Sequence, residues 1–282
     1  MKRRNASPNT VKQYLNGLKH FVLWLDVPIE ALTHRKICEY TDHLLARRLR
    51  PKTINCYLNS VCQFYHYLAE EEGMAVVNPV RKPNIMKLPR GLPKHLTDEH
   101  IAALFNQLKG QRDRAMFTLM LRCGLRVEEV AHLLLGNVDL HRRTLHIQDG
   151  KGAKDRIVYL SHDALQALLE YLRVRPATKV KRVFLVEKGP LTAQPLSIRG
   201  IQKRMEHYAR KAHLKISCHR HTMATQMLNA DADLATIQDL LGHNSIRTTQ
   251  RYCRVSNLKV QRDYFKAMER IMQRTAGNAH DP

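Results

Sequence analysis

Asn78-Pro79-Val80-Arg81-Lys82-Pro83-Asn84-Ile85-Met86-Lys87-Leu88-Pro89-Arg90-Gly91-Leu92-Pro93-Lys94-His95-Leu96-Thr97 divides the chain. Its four prolines break any continuous helix, because proline lacks the backbone N–H and clashes with the preceding turn. Arg81, Lys82, Lys87, Arg90 and Lys94 are interleaved with them. Such a change of texture marks a domain boundary. Residues 1–90 read as one domain, 78–96 as a basic, proline-rich linker overlapping its end, and 97–282 as a second domain. The linker is open to two readings, a solvated connection or a basic strap that closes on an acidic ligand.

Upstream of the boundary the chain reads as helices. Ser7-Pro8 is a start signal, a capping residue followed by proline, and Val11, Leu15, Leu18, Val22 and Leu25 then recur at helical spacing. A second helix starts near Thr33 with Ile37, Tyr40 and Leu44 on one face, and a third near Pro51 with Ile54, Leu58, Val61, Tyr65 and Leu68. The first and third are alike: Pro8, Thr10, Tyr14, Leu15, Asn16, Phe21 and Leu25 recur at one constant offset as Pro51, Thr53, Tyr57, Leu58, Asn59, Phe64 and Leu68. Amphipathic helices share leucines by chance more easily than they share Pro, Thr and Asn, so two equivalent helices of one bundle are expected. Two copies are too few for a solenoid.

Downstream, helices are expected from Thr97 to Leu108, over Arg114–Leu121, Asp163–Val174, Ser197–His213, Ser217–Asn229 and Leu234–Leu241, the last ended by Gly242 in a left-handed cap. A final helix is expected over about Ser256–Met272. Thr144–Ile147 and Asp155–Leu160 read as two short strands joined by the turn Asp149-Gly150-Lys151-Gly152-Ala153-Lys154. The second domain is therefore mainly α with a small sheet.

Composition limits what such a protein does. The 282 residues carry 47 Lys+Arg against 25 Asp+Glu, a net +22, with 44% hydrophobic residues. That apolar fraction builds a core and excludes a wholly disordered basic chain. No stretch approaches the roughly 20 apolar residues of a membrane span, and Met1–Pro8 lacks the apolar segment of a secretory signal. The excess charge calls for a polyanion, and because it is spread along the chain, nucleic acid suits it better than a membrane surface. Cys38, Cys56, Cys62, Cys123, Cys218 and Cys253 form no Cys-x-x-Cys pair, so reduced thiols and a cytoplasmic location are expected. No His or Cys pair has the spacing of a zinc site, so no structural metal is expected.

Four short motifs carry the chemistry: Gly124-Leu125-Arg126-Val127-Glu128-Glu129, Gly150-Lys151-Gly152, Arg220-His221-Thr222, and Leu241-Gly242-His243 followed by Tyr252. Singly each has an ordinary explanation, such as a surface arginine, a turn lysine or a capping histidine. Together they suit a phosphodiester. Charge spreads over the phosphate oxygens in the transition state, so positioned cations dominate, and guanidinium forks match phosphate geometry. A turn lysine can protonate the leaving oxygen, and a tyrosine can attack phosphorus to form a covalent intermediate.

These motifs, in this order and spacing, resemble the tyrosine recombinases, the phage-integrase group, with the size and layout of the Xer type. Gly124–Glu129 resembles the family's first arginine box, Gly150-Lys151-Gly152 its β-hairpin lysine, Arg220-His-Thr-Met-Ala-Thr225 its second arginine box, and Leu240–Tyr252 the stretch joining its last histidine to its nucleophile. The resemblance covers about residues 96–270, and the N-terminal helices resemble the family's core-binding domain more loosely. It implies a helical, SAM-like core-binding domain plus an α+β catalytic domain that grip opposite faces of double-stranded DNA. By resemblance Tyr252 is the nucleophile, Arg126 and Arg220 hold the non-bridging oxygens, Lys151 is the general acid and His243 hydrogen-bonds the phosphate, with no ATP, metal or other cofactor. The family usually carries a histidine three residues before its second arginine. Here Ser217 stands there and His219 is adjacent to Arg220. Either Ser217 caps the helix and donates to the phosphate, or His219 takes the histidine's role from an irregular turn. Phe265, Met268, Ile271 and Met272 form an apolar stripe that either packs on its own domain or, as in the family, docks on a neighbour in a homo-tetramer on DNA. Two further roles stand beside site-specific strand exchange, a type IB topoisomerase-like relaxing enzyme and a DNA-binding regulator with a silent site. The need for a partner recombinase or accessory protein is open.

Overall fold

Thr10 donates its amide to Ser7 Oγ and Pro8 takes the first helical position, so α1 (Pro8–Trp24) starts where the capping signal placed it. The computed structural model describes residues 7–88, 95–150, 154–214, 219–243, 245–250 and 264–269. They fall in two compact units, Met1–Gly91 and Leu92–Pro282.

In the first unit Thr33 caps α2 (His34–Ala46) and Pro51 opens α3 (Pro51–Glu70). The apolar faces expected of α2 and α3 are buried as read: Ile37, Tyr40, Leu44, Ile54, Leu58, Val61, Tyr65 and Leu68 are in the core. The face expected of α1 is buried only in part, with Leu18 and Leu25 packed against that core. Leu15 and Val22 are 60% and 54% exposed, and Gly17 and Phe21 are the buried residues. Steric fit decides this, because a Cβ on Gly17 would stand 2.4 Å from Ser60 Oγ, a distance that leaves room for hydrogen alone. The helices run antiparallel, since Gly17 meets Ser60 while His20 stacks on Tyr57. Gly17 and Ser60 are equivalent positions of the sequence repeat, so α1 and α3 are related by a local pseudo-twofold through that contact.

In the second unit Thr97 caps α4 (Asp98–Asn106), and α5 (Gln111–Arg122) is the buried central helix, ahead of the short α6 (Val127–His132). Three antiparallel strands follow, β1 (Val138–Asp139), β2 (Thr144–Gly150) and β3 (Lys154–Tyr159), in that spatial order. The two-residue β1 lies outside the sequence expectation. Leu145 and Ile147 on β2 and Val158 on β3 turn inward, with an irregularity in register between Ile147 and Gly150. α7 (His162–Val174) packs on α5, and α8 (Ile198–Lys211) is joined to α5 through the buried Asp113 carboxylate, which Arg112 and the partly exposed Arg204 both bind. α9 (His219–Asn229), α10 (Leu234–Leu241) and α11 (Ile246–Thr249) complete the unit. Met223, Ala224, Leu228, Ile237 and Leu241 form a small core of their own between α9 and α10. Residues 264–269 are helical with Phe265 exposed, and the rest of the expected final helix lies outside the described residues. Among the described residues no helix is long and apolar enough to cross a membrane, and no three His, Cys, Asp or Glu side chains converge as a metal site.

Candidate active site

The site is assembled where the α5–α6 loop meets the end of α10. Gly124 has φ +64°, and a Cβ there would come within 3.0 Å of Leu241 Cδ2 and 3.3 Å of Met223 Sδ. Glycine alone supplies both the left-handed backbone and the space. The loop can therefore lie against α9 and α10, which brings Arg126, the residue capping α6, to the carbonyl end of α10.

Arg126 is held on two sides. Its backbone N–H donates to Glu129 Oε2 at 2.7 Å and its Nη1 to Glu129 Oε1 at 2.5 Å. Its Nη2 reaches the carbonyls of Leu241 and Gly242 at 3.2 and 3.4 Å. The unpaired carbonyls of a helix C-terminus attract a cation. The Arg126 side chain remains 23% exposed, against 7% for Glu129.

α10 ends at Gly242 with φ +57°, the left-handed cap read from the sequence. The amides of Gly242 and His243 donate back to Asp239 and Gln238 carbonyls at 3.0 and 3.1 Å. This tight turn presents His243, whose Nδ1 lies 2.9 Å from Oγ1 of the buried Thr249 on α11. Gln238 Nε2 donates to the His243 carbonyl at 3.1 Å. Ring and backbone of His243 are thus fixed from both neighbouring helices.

Beneath Arg126 lies Arg156 of β3, with a side chain 8% exposed. Its Nη1 and Nη2 donate to Glu129 Oε1 and Oε2 at 2.7 and 2.8 Å, and its Nε donates to the Leu240 carbonyl at 2.8 Å. Burial alone would raise the Glu129 carboxyl. The Arg156 fork, the Arg126 amide and the Arg126 guanidinium together outweigh that and hold it down at about 2.

Of the residues expected at the site, the structure brings Arg126 and His243 to one turn. His219 and Arg220 stand in the first turn of α9. Their side chains, and Lys151, Ser217 and Tyr252 as a whole, lie outside the described residues. Two residues of the assembly escape the sequence reading. Glu129 stands in the first arginine motif with no role assigned to it, and Arg156 belongs to no motif. The signal was available: Arg156, Val158 and Leu160 alternate on the inward face of a strand, and an arginine there needs a buried carboxylate.

The profile of the phage integrase family matches residues 94–259, and that of the phage integrase N-terminal SAM-like domain matches residues 1–74. The chain belongs to the phage integrase family. It is similar to tyrosine recombinase XerC of Thermodesulfovibrio yellowstonii, at 32% identity over 90% of this chain and 88% of the relative. It is also similar to tyrosine recombinase XerC of Myxococcus xanthus, at 33% identity over 95% of this chain and 94% of the relative. Among solved structures it shares its fold with the Tn1549 transposon integrase in complex with transposon right end DNA (TM-score 0.71, 19% identity, 95% and 96% of the two chains). The XerH site-specific recombinase bound to a palindromic difH substrate is equally near in fold (TM-score 0.71, 22% identity, 93% and 80%). The expected fold class, mainly α with a small sheet, SAM-like domain first and α+β catalytic domain second, is the one observed.

Proposed function

We propose that this chain is a site-specific DNA recombinase that breaks and rejoins strands through a covalent 3′-phosphotyrosyl intermediate. The supporting observation is the convergence of Arg126 and His243 on the Gly242 turn. A guanidinium and an imidazole are there fixed by protein contacts before any substrate arrives, as electrostatic stabilisation of a phosphoryl transition state requires.

In this reading Arg126 and Arg220 take the two non-bridging oxygens of the scissile phosphate, and His243 donates a hydrogen bond to it. Tyr252 Oη attacks phosphorus, the bond from phosphorus to the 5′-oxygen breaks, and Lys151 gives that oxygen a proton. The phenolic proton leaves to water or to a base, a role for which Ser217 and His219 are the candidates. One phosphodiester replaces another, so ligation is the same step reversed and consumes no ATP. Residues 1–90 are the core-binding domain, residues 97–282 the catalytic domain and double-stranded DNA their common partner. The segment after Tyr252 links protomers in a homo-tetramer during synapsis.

The test uses a pool of nicked duplexes with a randomised core, on which the short 5′ product diffuses away and traps the intermediate. The wild-type chain is expected to form a DNA–protein adduct that survives denaturation, and Tyr252→Phe to form none. An adduct made by Tyr252→Phe, or no adduct from the wild type on any duplex, overturns the mechanism. Relaxation of supercoiled plasmid without strand exchange would instead mark a topoisomerase-like enzyme.

A further inference from the structure

Arg156 is bound more completely than the arginine that faces the phosphate. All three of its donor nitrogens are engaged, two as a fork on Glu129 and one on the Leu240 carbonyl, at 2.7–2.8 Å. Arg126 shares the same carboxylate, and its bonds to Leu241 and Gly242 are longer, at 3.2 and 3.4 Å. Gly242 closes over Arg156, where a Cβ would stand 3.1 Å from Arg156 Cδ. One side chain of β3 therefore reaches both the start of α6 and the end of α10.

A buried ion pair is weak evidence of a stabilising role, since apolar side chains of similar volume often serve stability as well or better. The geometry points to another purpose. Two guanidiniums on one carboxylate repel each other, and Arg126 keeps its place because Glu129 is pinned from below. Three successive carbonyls, those of Leu240, Leu241 and Gly242, are divided between Arg156 and Arg126, and the next residue is His243.

Resting on the functional reading above, we propose that Arg156 is a positioning residue for strand cleavage, holding Glu129 so that Arg126 meets the scissile phosphate and holding the α10 terminus so that its turn presents His243. It acts through Arg126 and His243 and does not itself touch DNA.

The test compares Arg156→Met and Arg156→Lys with the wild type on the duplex that the wild type captures best from the randomised pool. Single-turnover adduct formation and DNA affinity are measured in parallel. Removing one preorganised donor from an anionic transition state typically costs about 10²–10³ in rate. A residue acting at one remove is expected to lose about 10²-fold in Arg156→Met, with affinity changed less than about threefold. Lysine, a point charge without a fork, should recover only part of the rate. The diagnostic substrate carries a neutral methylphosphonate at the scissile position. It lacks the charge that Arg126 neutralises, so the gap between wild type and Arg156→Met should shrink to less than about tenfold. A merely structural role lowers the active fraction and leaves the same gap on both substrates. Should Arg156→Met fail to fold, Arg156→Lys carries the same comparison. An equal gap on both substrates, or wild-type cleavage by Arg156→Met, overturns the proposal and leaves the Tyr252 chemistry standing. No adduct from the wild type removes both.

Discussion

Glu129 lies between Arg126 and Arg156 with its carboxyl held at about 2, against an ordinary 4.5. A carboxylate whose folded value lies below its unfolded value stabilises the fold above the unfolded value and loses that contribution as pH falls through the folded one. The Glu129 contribution is therefore complete above about pH 4.5 and declines towards pH 2. Its ceiling is about 3 kcal/mol, because a tenfold change in proton affinity is worth about 1.4 kcal/mol. Glu129→Gln should lower the urea midpoint at neutral pH, and the gap to wild type should narrow steadily below about pH 4.5. A gap that is constant from neutral pH down to about pH 3 would place the effect in packing rather than charge. The two glycines that shape this site were open to sequence reasoning in unequal measure. Gly242 was legible as a helix cap because a glycine after an apolar helical run has one common meaning. Gly124 was not, because what it makes room for, Leu241 and Met223, is more than ninety residues away in the chain. For Arg156 the alternation with Val158 and Leu160 signals an inward face, but its partner was hidden for the same reason, since Glu129 stands 27 residues earlier, on α6.

At the scale of elements, the repeat between α1 and α3 was visible in sequence but its meaning was spatial. Hydrophobic spacing named Val11, Leu15, Leu18, Val22 and Leu25 as the stripe of α1, yet Leu15 and Val22 are exposed and the helix turns its Gly17 side to α3, because a small residue lets two backbones approach. Periodicity reports where apolar residues recur, and it does not weigh the close contact a glycine permits. The pseudo-twofold through Gly17 and Ser60 makes a specific prediction. Gly17→Ser alone places side-chain atoms against Ser60, which is 5% exposed and bonded through Oγ to the Cys56 carbonyl, and should cost about 1–3 kcal/mol. Adding Ser60→Gly exchanges the two residues across the axis, keeps the helix content of glycine constant and should restore stability to within about 1 kcal/mol of wild type. Urea unfolding followed by fluorescence of Trp24, the single tryptophan, reads this unit selectively. If the double variant is no more stable than Gly17→Ser, the helices are not interchangeable at that contact.

For the whole molecule the governing quantity is charge. Residues 1–90 hold 15 Lys+Arg against 7 Asp+Glu, a net +8, and the remaining residues hold +14 of the total +22. Both units are therefore basic. In the first, the turn between α2 and α3 and the start of α3 gather Arg47, Arg48, Arg50 and Lys52, all exposed, with Arg48 in a left-handed backbone at φ +56°. Nothing in the fold requires four cations so close together, and their mutual repulsion works against it, so a polyanion opposite them is the physical reason to keep them. Each duplex phosphate neutralised contributes about −0.9 to the slope of log affinity against log salt. A protein that grips duplex DNA with both units should show a steep slope on a duplex of arbitrary sequence, measured by fluorescence anisotropy. Arg50→Gln with Lys52→Gln should reduce its magnitude by at most about 2 and leave the larger part intact, because the second unit supplies its own contacts. The Arg156 variants, which alter a buried contact and not the grip, should leave the slope unchanged. A flat salt response would mean that neither unit grips the phosphates, and a slope abolished by the α2–α3 substitutions alone would mean that the second unit does not.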